Sequence, residues 1–191
     1  LTSAQNANSI LRTDLRKLRD RSRDLARNDP YAKQFFQLAK TNIIGKGITL
    51  QVHASGTAKA KDQKLTSKIE QRFYDWGKKK TCTLSGKLSF LEVLQLVTMH
   101  VFRDGEALIQ LIPDSRNEFG FCLKVYDPDW LDENLTLQAI NGNRIIMGVE
   151  VDNEDRPVAY HLREPFQNYP RRERKTSNYT RIPAAEMLHV F

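Results

Sequence analysis

Cysteine is scarce in this chain. Cys82 and Cys122 are the whole complement of 191 residues, too few for a disulfide framework. Both are read as free thiols of a reducing compartment. Nine glycines and seven prolines exclude a collagen-like or low-complexity chain. No apolar run reaches the length of a membrane-spanning helix. Catalytic signatures are missing too. His53, His100, His161 and His189 stand in unrelated contexts with no HExxH, and neither cysteine has a second one close by for a zinc knuckle. No serine sits in GxSxG. Gly45-Lys46-Gly47 lacks the GxxxxGK spacing and follows a helix where a phosphate loop needs a strand, so it reads as a helix stop. Positive charge is in excess, at +7, yet it is nowhere gathered into one polybasic block.

What is present is organised around residues 88–131. Phe90, Leu94, Val97 and Val101 recur at three- and four-residue steps, and Leu91, Val93 and Leu96 widen the stripe. The spacing predicts a helix buried over much of its girth, with Ser89 as N-cap and Asp104-Gly105 as its stop. Ala107 to Ile112 reads as a strand buried on both sides. After a turn from Pro113 to Gly120, the alternation of Phe119, Phe121, Leu123 and Val125 predicts an antiparallel partner ending at Asp127-Pro128.

Around that unit, residues 1–9 are polar and expected to fray. Ile10 to Arg27 predicts a helix whose contact stripe is Leu11, Leu15, Leu18, Leu25 and Ala26, with arginines and lysines on its other side. Asn28-Asp29-Pro30 restarts the helix, Asp29 capping and Pro30 in the first turn. The second helix uses Tyr31, Phe35, Leu38, Ala39 and Ile43 as its apolar face. Ile48 to Val52 is expected as a short strand and His53 to Ala60 as a loop. Asp62 to Lys80 is a further helix on Leu65, Ile69, Phe73 and Trp76, fraying through Gly77 and the lysines at 78–80. Thr81 to Lys87 is a loop. Later, Asn141-Gly142-Asn143 and Asn153 to Pro157 are turns. A strand over Arg144 to Val151 and a return through Val158, Tyr160 and Leu162 make a hairpin with solvent-facing polar sides. Glu164 to Arg181 is a basic exposed loop, and a short helical turn at Ala184 to Met187 precedes a terminal strand. The whole is α+β, with amphipathic helices packed on a small, mostly antiparallel sheet. It divides into a basic helix at 1–28, a candidate inter-subunit arm, and a core at 29–191. The opening LTSAQNANS without methionine and the closing LHVF suggest a piece of something larger, incomplete at its C-terminus.

The charge excess favours nucleic acid or another acidic partner. Arg12, Arg16, Lys17, Arg19 and Arg23 on the first helix are the candidate contacts, together with Arg171, Arg172, Arg174 and Lys175 in the late loop, where Tyr169 and Tyr179 could stack on bases. A free-standing DNA-binding module using these residues is one alternative. A metal-dependent nuclease is another, because Asp104 and Glu106 flank Gly105 while Asp127, Asp129 and Asp132 follow a strand, where magnesium could be held. No base or lysine beside those acids is specified, and turn and cap chemistry accounts for Asp127-Pro128. No cofactor or metal is expected.

Several segments stand out in order: RSRDLARNDPYAKQFFQLAKTNIIGKGITLQ at 21–51, FYDWGKKKTCTLSGKLSFLEVLQLV at 73–97, RDGEALIQL at 103–111 and KVYDPDWLD at 124–132. NRIIMGVEVDNEDRPVAYHLRE at 143–164 and RIPAAEMLHVF at 181–191 complete the set. Together they resemble the lambda-type portal protein family of tailed bacteriophages. The resemblance implies a non-enzymatic structural subunit of a ring, usually of twelve copies, at one vertex of the phage head. Double-stranded DNA passes through such rings in packaging and ejection, and they dock terminase, capsid and head-completion proteins. The present segment resembles the N-terminal part of the wing, ahead of the stem and clip. Its place would be the virion, and the bacterial cytoplasm during assembly, with no membrane partner. The family carries no catalytic residues to transfer.

Overall fold

A computed structural model of the chain describes residues 7–53, 59–114, 116–139, 142–163 and 179–191. Five helices come first, α1 (Ala7–Asn28), α2 (Pro30–Ala39), α3 (Lys59–Trp76), α4 (Lys79–Cys82) and α5 (Phe90–Asp104). Eight strands follow, β1 (Ala107–Pro113), β2 (Phe121–Tyr126), β3 (Leu137–Gln138), β4 (Arg144–Ile146), β5 (Val149–Val151), β6 (Pro157–Leu162), β7 (Thr180–Pro183) and β8 (Met187–Val190). They form two sheets, one ordered β2-β1-β8 and the other β3-β4-β5-β6-β7, and every pairing between named strands is antiparallel. The α+β class is as the sequence predicts, with two small sheets in place of one.

The central unit forms for the reasons its sequence contains. The Ser89 hydroxyl accepts from Glu92 N–H while the Glu92 carboxylate accepts from Ser89 N–H at 2.8 Å, a complete capping box contributing about 1 kcal/mol. Lys79 and these Ser89 hydrogen bonds pull the Glu92 carboxyl down to about 2. At the other end Gly105 turns left-handed at φ 88° and donates to Val101 O, stopping α5. β1 then leaves with alternate residues facing opposite ways. Ala107 and Ile109 join Trp76, Cys82, Val93 and Leu123 under α3 and α5. Leu108, fully buried between them in sequence, joins Tyr126, Leu131, Tyr160, Leu162, Ile182 and Met187 against the second sheet. Burial of a side chain like Leu108 contributes about 1.5–3 kcal/mol. Cys82 and Cys122 are buried free thiols, and burial pushes Cys82 up to about 12.

Elsewhere the chain departs from expectation. The helix 62–80 is two helices. Gly77 N–H closes on Phe73 O, and the lysines at 78–80 open α4 rather than fray, Lys78 pairing with Asp75 at 2.7 Å and Lys79 with Glu92 at 2.7 Å. The strand 144–151 is also two, because Met147 (φ 51°) and Gly148 (φ 85°) make a tight turn between β4 and β5. A β-carbon at Gly148 would stand 2.8 Å from Leu131 Cδ1, so only glycine fits this crossing. The hairpin of 141–163 is therefore part of a five-stranded meander, and its sides are not all solvated: Ile145, Glu150, Val151, Ala159, Tyr160 and Leu162 are buried. Residues 48–52 form no strand, and Val52 N–H donates instead to the Glu70 carboxylate at 3.0 Å. The second helix ends through a π-helical turn, Lys40–Ile44, before Gly45. Helix α1 already covers 7–9, and α3 covers 59–60, where fraying and loop were expected. The loop expected at 54–58 and the basic loop at 164–178 lie outside the described residues.

The largest reversal is in α1. Its predicted contact stripe is only partly used: Leu15 and Ala26 are half-buried, whereas Leu18 and Leu25 are each 54% exposed. Arg19, from the side read as solvated, is 4% exposed.

Candidate functional site

Arg19 and Arg23 are four residues apart and share one face of α1. That face lies against the junction of α5 with β1 and the turn after β2. Arg19 Nε donates to the Asp104 carbonyl at 3.0 Å, which satisfies one of the carbonyls left free at the end of α5. Its guanidinium also pairs with Glu106, and stands 3.5 Å from Asp129 Oδ1. Arg23 donates through Nε to Asp104 Oδ1 at 2.6 Å and through Nη2 to Asp127 Oδ1 at 3.0 Å, and it pairs with Asp129 through Nη1. Arg103 Nη2 grips the second Asp104 oxygen at 2.7 Å. From β8, His189 Nε2 lies 2.6 Å from Glu106 Oε2.

The arrangement has a physical cause. Asp104 is the last residue of α5 and is buried, so its carboxylate faces the negative end of the helix dipole with little water. Guanidinium partners are required to keep it ionised there. Burial works to raise the Asp104 carboxyl, but hydrogen bonds from Arg103 and Arg23 and their charges bring it below the ordinary value. Glu106 is lowered in the same way against burial, by His189 and Arg19. Burial disfavours the Arg23 cation, yet Asp104 and Asp129 outweigh it and raise its affinity for the proton. Asp127, besides receiving Arg23, caps the turn Pro128–Trp130 by accepting from Asp129 N–H at 2.9 Å.

Four of the acids named for the nuclease alternative, Asp104, Glu106, Asp127 and Asp129, thus do converge, while Asp132 lies with Tyr179 and Arg163. The four converge on Arg19, Arg23 and Arg103, so the carboxylate oxygens that a divalent ion would use already accept hydrogen bonds from guanidiniums. Among the described residues no group of histidine, cysteine, aspartate and glutamate is disposed to hold a metal ion. A cavity of about 400 Å³ opens beside the cluster, with Leu15, Arg19, Glu106, Glu133, His189 and Phe191 on its walls.

The residues singled out as candidate DNA or acidic-partner contacts separate into three groups. Arg12 and Arg16 are exposed, and Lys17 is exposed with Asp14 at 3.5 Å. Arg19 and Arg23 are turned inward into the acidic cluster. Arg171, Arg172, Arg174 and Lys175, with Tyr169, lie outside the described residues. Tyr179 is described, and its hydroxyl donates to Asp132 Oδ2 at 2.6 Å. A second buried carboxylate, Glu150 on β5, is not among the residues that the sequence points to. It receives Arg181 Nε at 2.8 Å and Asn143 Nδ2 at 2.8 Å, and stands 3.0 Å from His161 Nε2. The signal available for it was a lone acid between valines in a strand, which alternation assigns to solvent.

Comparison with known proteins bears on the whole chain. The family described as "Phage portal protein, lambda family" matches residues 2–191. The chain is also similar to a probable portal protein of Halomonas phage phiHAP-1, with 35% identity over 193 residues. That match takes in 100% of this chain and 37% of the relative. No helix among the described residues is long and apolar enough to cross a membrane.

Proposed function

The chain belongs to the lambda family of phage portal proteins, and from that membership we propose that it is part of a structural subunit of a portal ring. The ring would form the vertex through which double-stranded DNA is packaged and ejected, and it would dock terminase and head-completion proteins within the capsid shell. The match over residues 2–191 carries this reading. The geometry agrees with a mechanical role: a capped helix, two cores sharing a strand, and acids held by arginines make scaffolding rather than an open reaction site. Tyr31 and Phe35 on α2 and Leu65 and Ile69 on α3 are exposed apolar side chains of the kind that subunit contacts use. Ring closure needs two different complementary faces on each copy. The segment 1–28, which contains helix α1, is proposed as an arm reaching the neighbouring subunit, with Leu18 and Leu25 outward.

Electron microscopy of the full-length protein tests the reading. Rings with a central hole, in twelve copies, are expected, and particles without rotational symmetry would overturn it. The exposed cations Arg12, Arg16 and Lys17 keep the DNA-binding reading in play as a property of the same molecule. Salt-dependent binding of duplex DNA by non-assembled protein, lost on substituting those three, would favour a free-standing binding module.

A further inference from the structure

We infer that residues 48–52 are a strand waiting for a partner, and that its partner is the open edge of β8 in a second copy of this chain. The segment Ile48-Thr49-Leu50-Gln51-Val52 has strand composition, with β-branched residues at three of five positions and no charge. Among the described residues, 48–51 make no backbone hydrogen bond, and Val52 N–H is met only by the Glu70 side chain. Ile48 is 63% exposed and Leu50 39%. The segment also forms one wall of a cleft of about 490 Å³, opposite Phe73, Tyr74, Phe90 and Leu91. Unpaired backbone beside an apolar cleft is the form that strand addition uses.

The choice of β8 comes from how the other edges are closed. Natural sheets protect their edges by covering them, shortening them, or placing proline and charge on them. The outer edge of β2 is covered by Thr83 and Leu84, whose N–H donates to Leu123 O at 2.9 Å. β3 has two residues, and β7 carries Arg181 and Pro183. Among the described residues, nothing covers the second edge of β8, and the strand carries no proline, lysine, arginine or acid. Its one ionisable residue, His189, turns to Glu106, and Leu188 (51% exposed) and Val190 (41%), on the same face as their partners Ile109 and Ala107, are left uncovered at the edge. Apolar residues two apart on each segment, Ile48 with Leu50 and Leu188 with Val190, would lie on one face of the joined sheet. Each copy then offers one edge and receives another, a heterologous contact able to close into a ring. The inference rests on the portal-ring reading and names the contact that closes it.

The test uses full-length protein carrying Leu50→Cys and Leu188→Cys together, oxidised with copper phenanthroline and run on a non-reducing gel. A ladder of covalently joined copies is expected, with each single variant giving no ladder. Rings that yield only monomer, or only a disulfide within one chain, overturn the inference and leave the ring reading standing. Protein that never forms rings overturns both. Should the double variant fail to assemble, hydrogen exchange on the unaltered protein decides. Amides 48–52 are expected to exchange at least about tenfold more slowly in rings than in dissociated subunits, and equal rates overturn the pairing.

Discussion

Replacing Arg23 with alanine removes one side chain and breaks three ion pairs, and the burial of each partner sets the cost. The Asp104 side chain has no exposure, so losing the Nε bond at 2.6 Å is a loss inside the protein. Stripping one partner from a buried pair costs about 3–5 kcal/mol. Arg103, still 2.7 Å from the other Asp104 oxygen, keeps that charge from standing alone, which brings this part to the lower end or below. Asp127 and Asp129 are 47% and 31% exposed, and such pairs are worth about 0–1 kcal/mol each. Together the loss is about 2–4 kcal/mol, felt where α1 docks. Hydrogen exchange read by mass spectrometry on α1 peptides measures that docking directly. At tenfold per 1.4 kcal/mol the exchange should quicken about 30- to 700-fold. Arg12→Ala, on an exposed side chain of the same helix, should change it by less than about threefold. If Arg23→Ala behaves like Arg12→Ala, the arginines do not hold the helix and the reasoning fails.

Acid should loosen the same contact. Asp104 and Glu106 titrate below their ordinary 3.8 and 4.5, so their stabilisation is complete above those values and is lost as pH falls through the lowered ones. His100, which burial lowers from 6.5, adds a separate loss beginning near that pH, because the unfolded chain takes up its proton first. Thermal midpoints measured from pH 7 to 3 should decline in those two steps, and Asp104→Asn should flatten the second only. Glu150→Ala removes the buried acceptor of Arg181, Asn143 and His161, but Arg181 is 47% exposed and stays hydrated, so stability in denaturant titration should fall by about 1–3 kcal/mol. Gly148→Ala puts a β-carbon on Leu131 at φ 85°, so a loss greater than about 1 kcal/mol is expected by the same titration.

Local chemistry made much of this fold legible. Ser89 and Glu92, Asp29 with Pro30, Gly105 and Asp127 all act at the positions where their side chains or φ preferences dictate. What the sequence hid was long-range. Helical periodicity ranks leucine above arginine as a contact, and in α1 that ranking fails because the docking surface is acidic. The acids come from two places in the chain, Asp104 and Glu106, then Asp127 and Asp129, so their sum is invisible to any local window. The break at Met147-Gly148 has a local mark, a glycine inside a run of strand-forming residues, and the approach of Leu131 shows why glycine is there. The expected strand at 48–52 has the composition for it, but its hydrogen bonds need a neighbour.

β1 is the member that both halves of the molecule lean on. Since Leu108 belongs to one side and Ala107 and Ile109 to the other, a shear applied to the helices cannot dissipate before it meets the meander. β2 beside it is divided the same way, Tyr126 belonging to one core and Leu123 to the other. Such a joint makes the two layers melt as one body and passes a push on either flank straight through, which is the behaviour of a stiff spoke and not of a hinge.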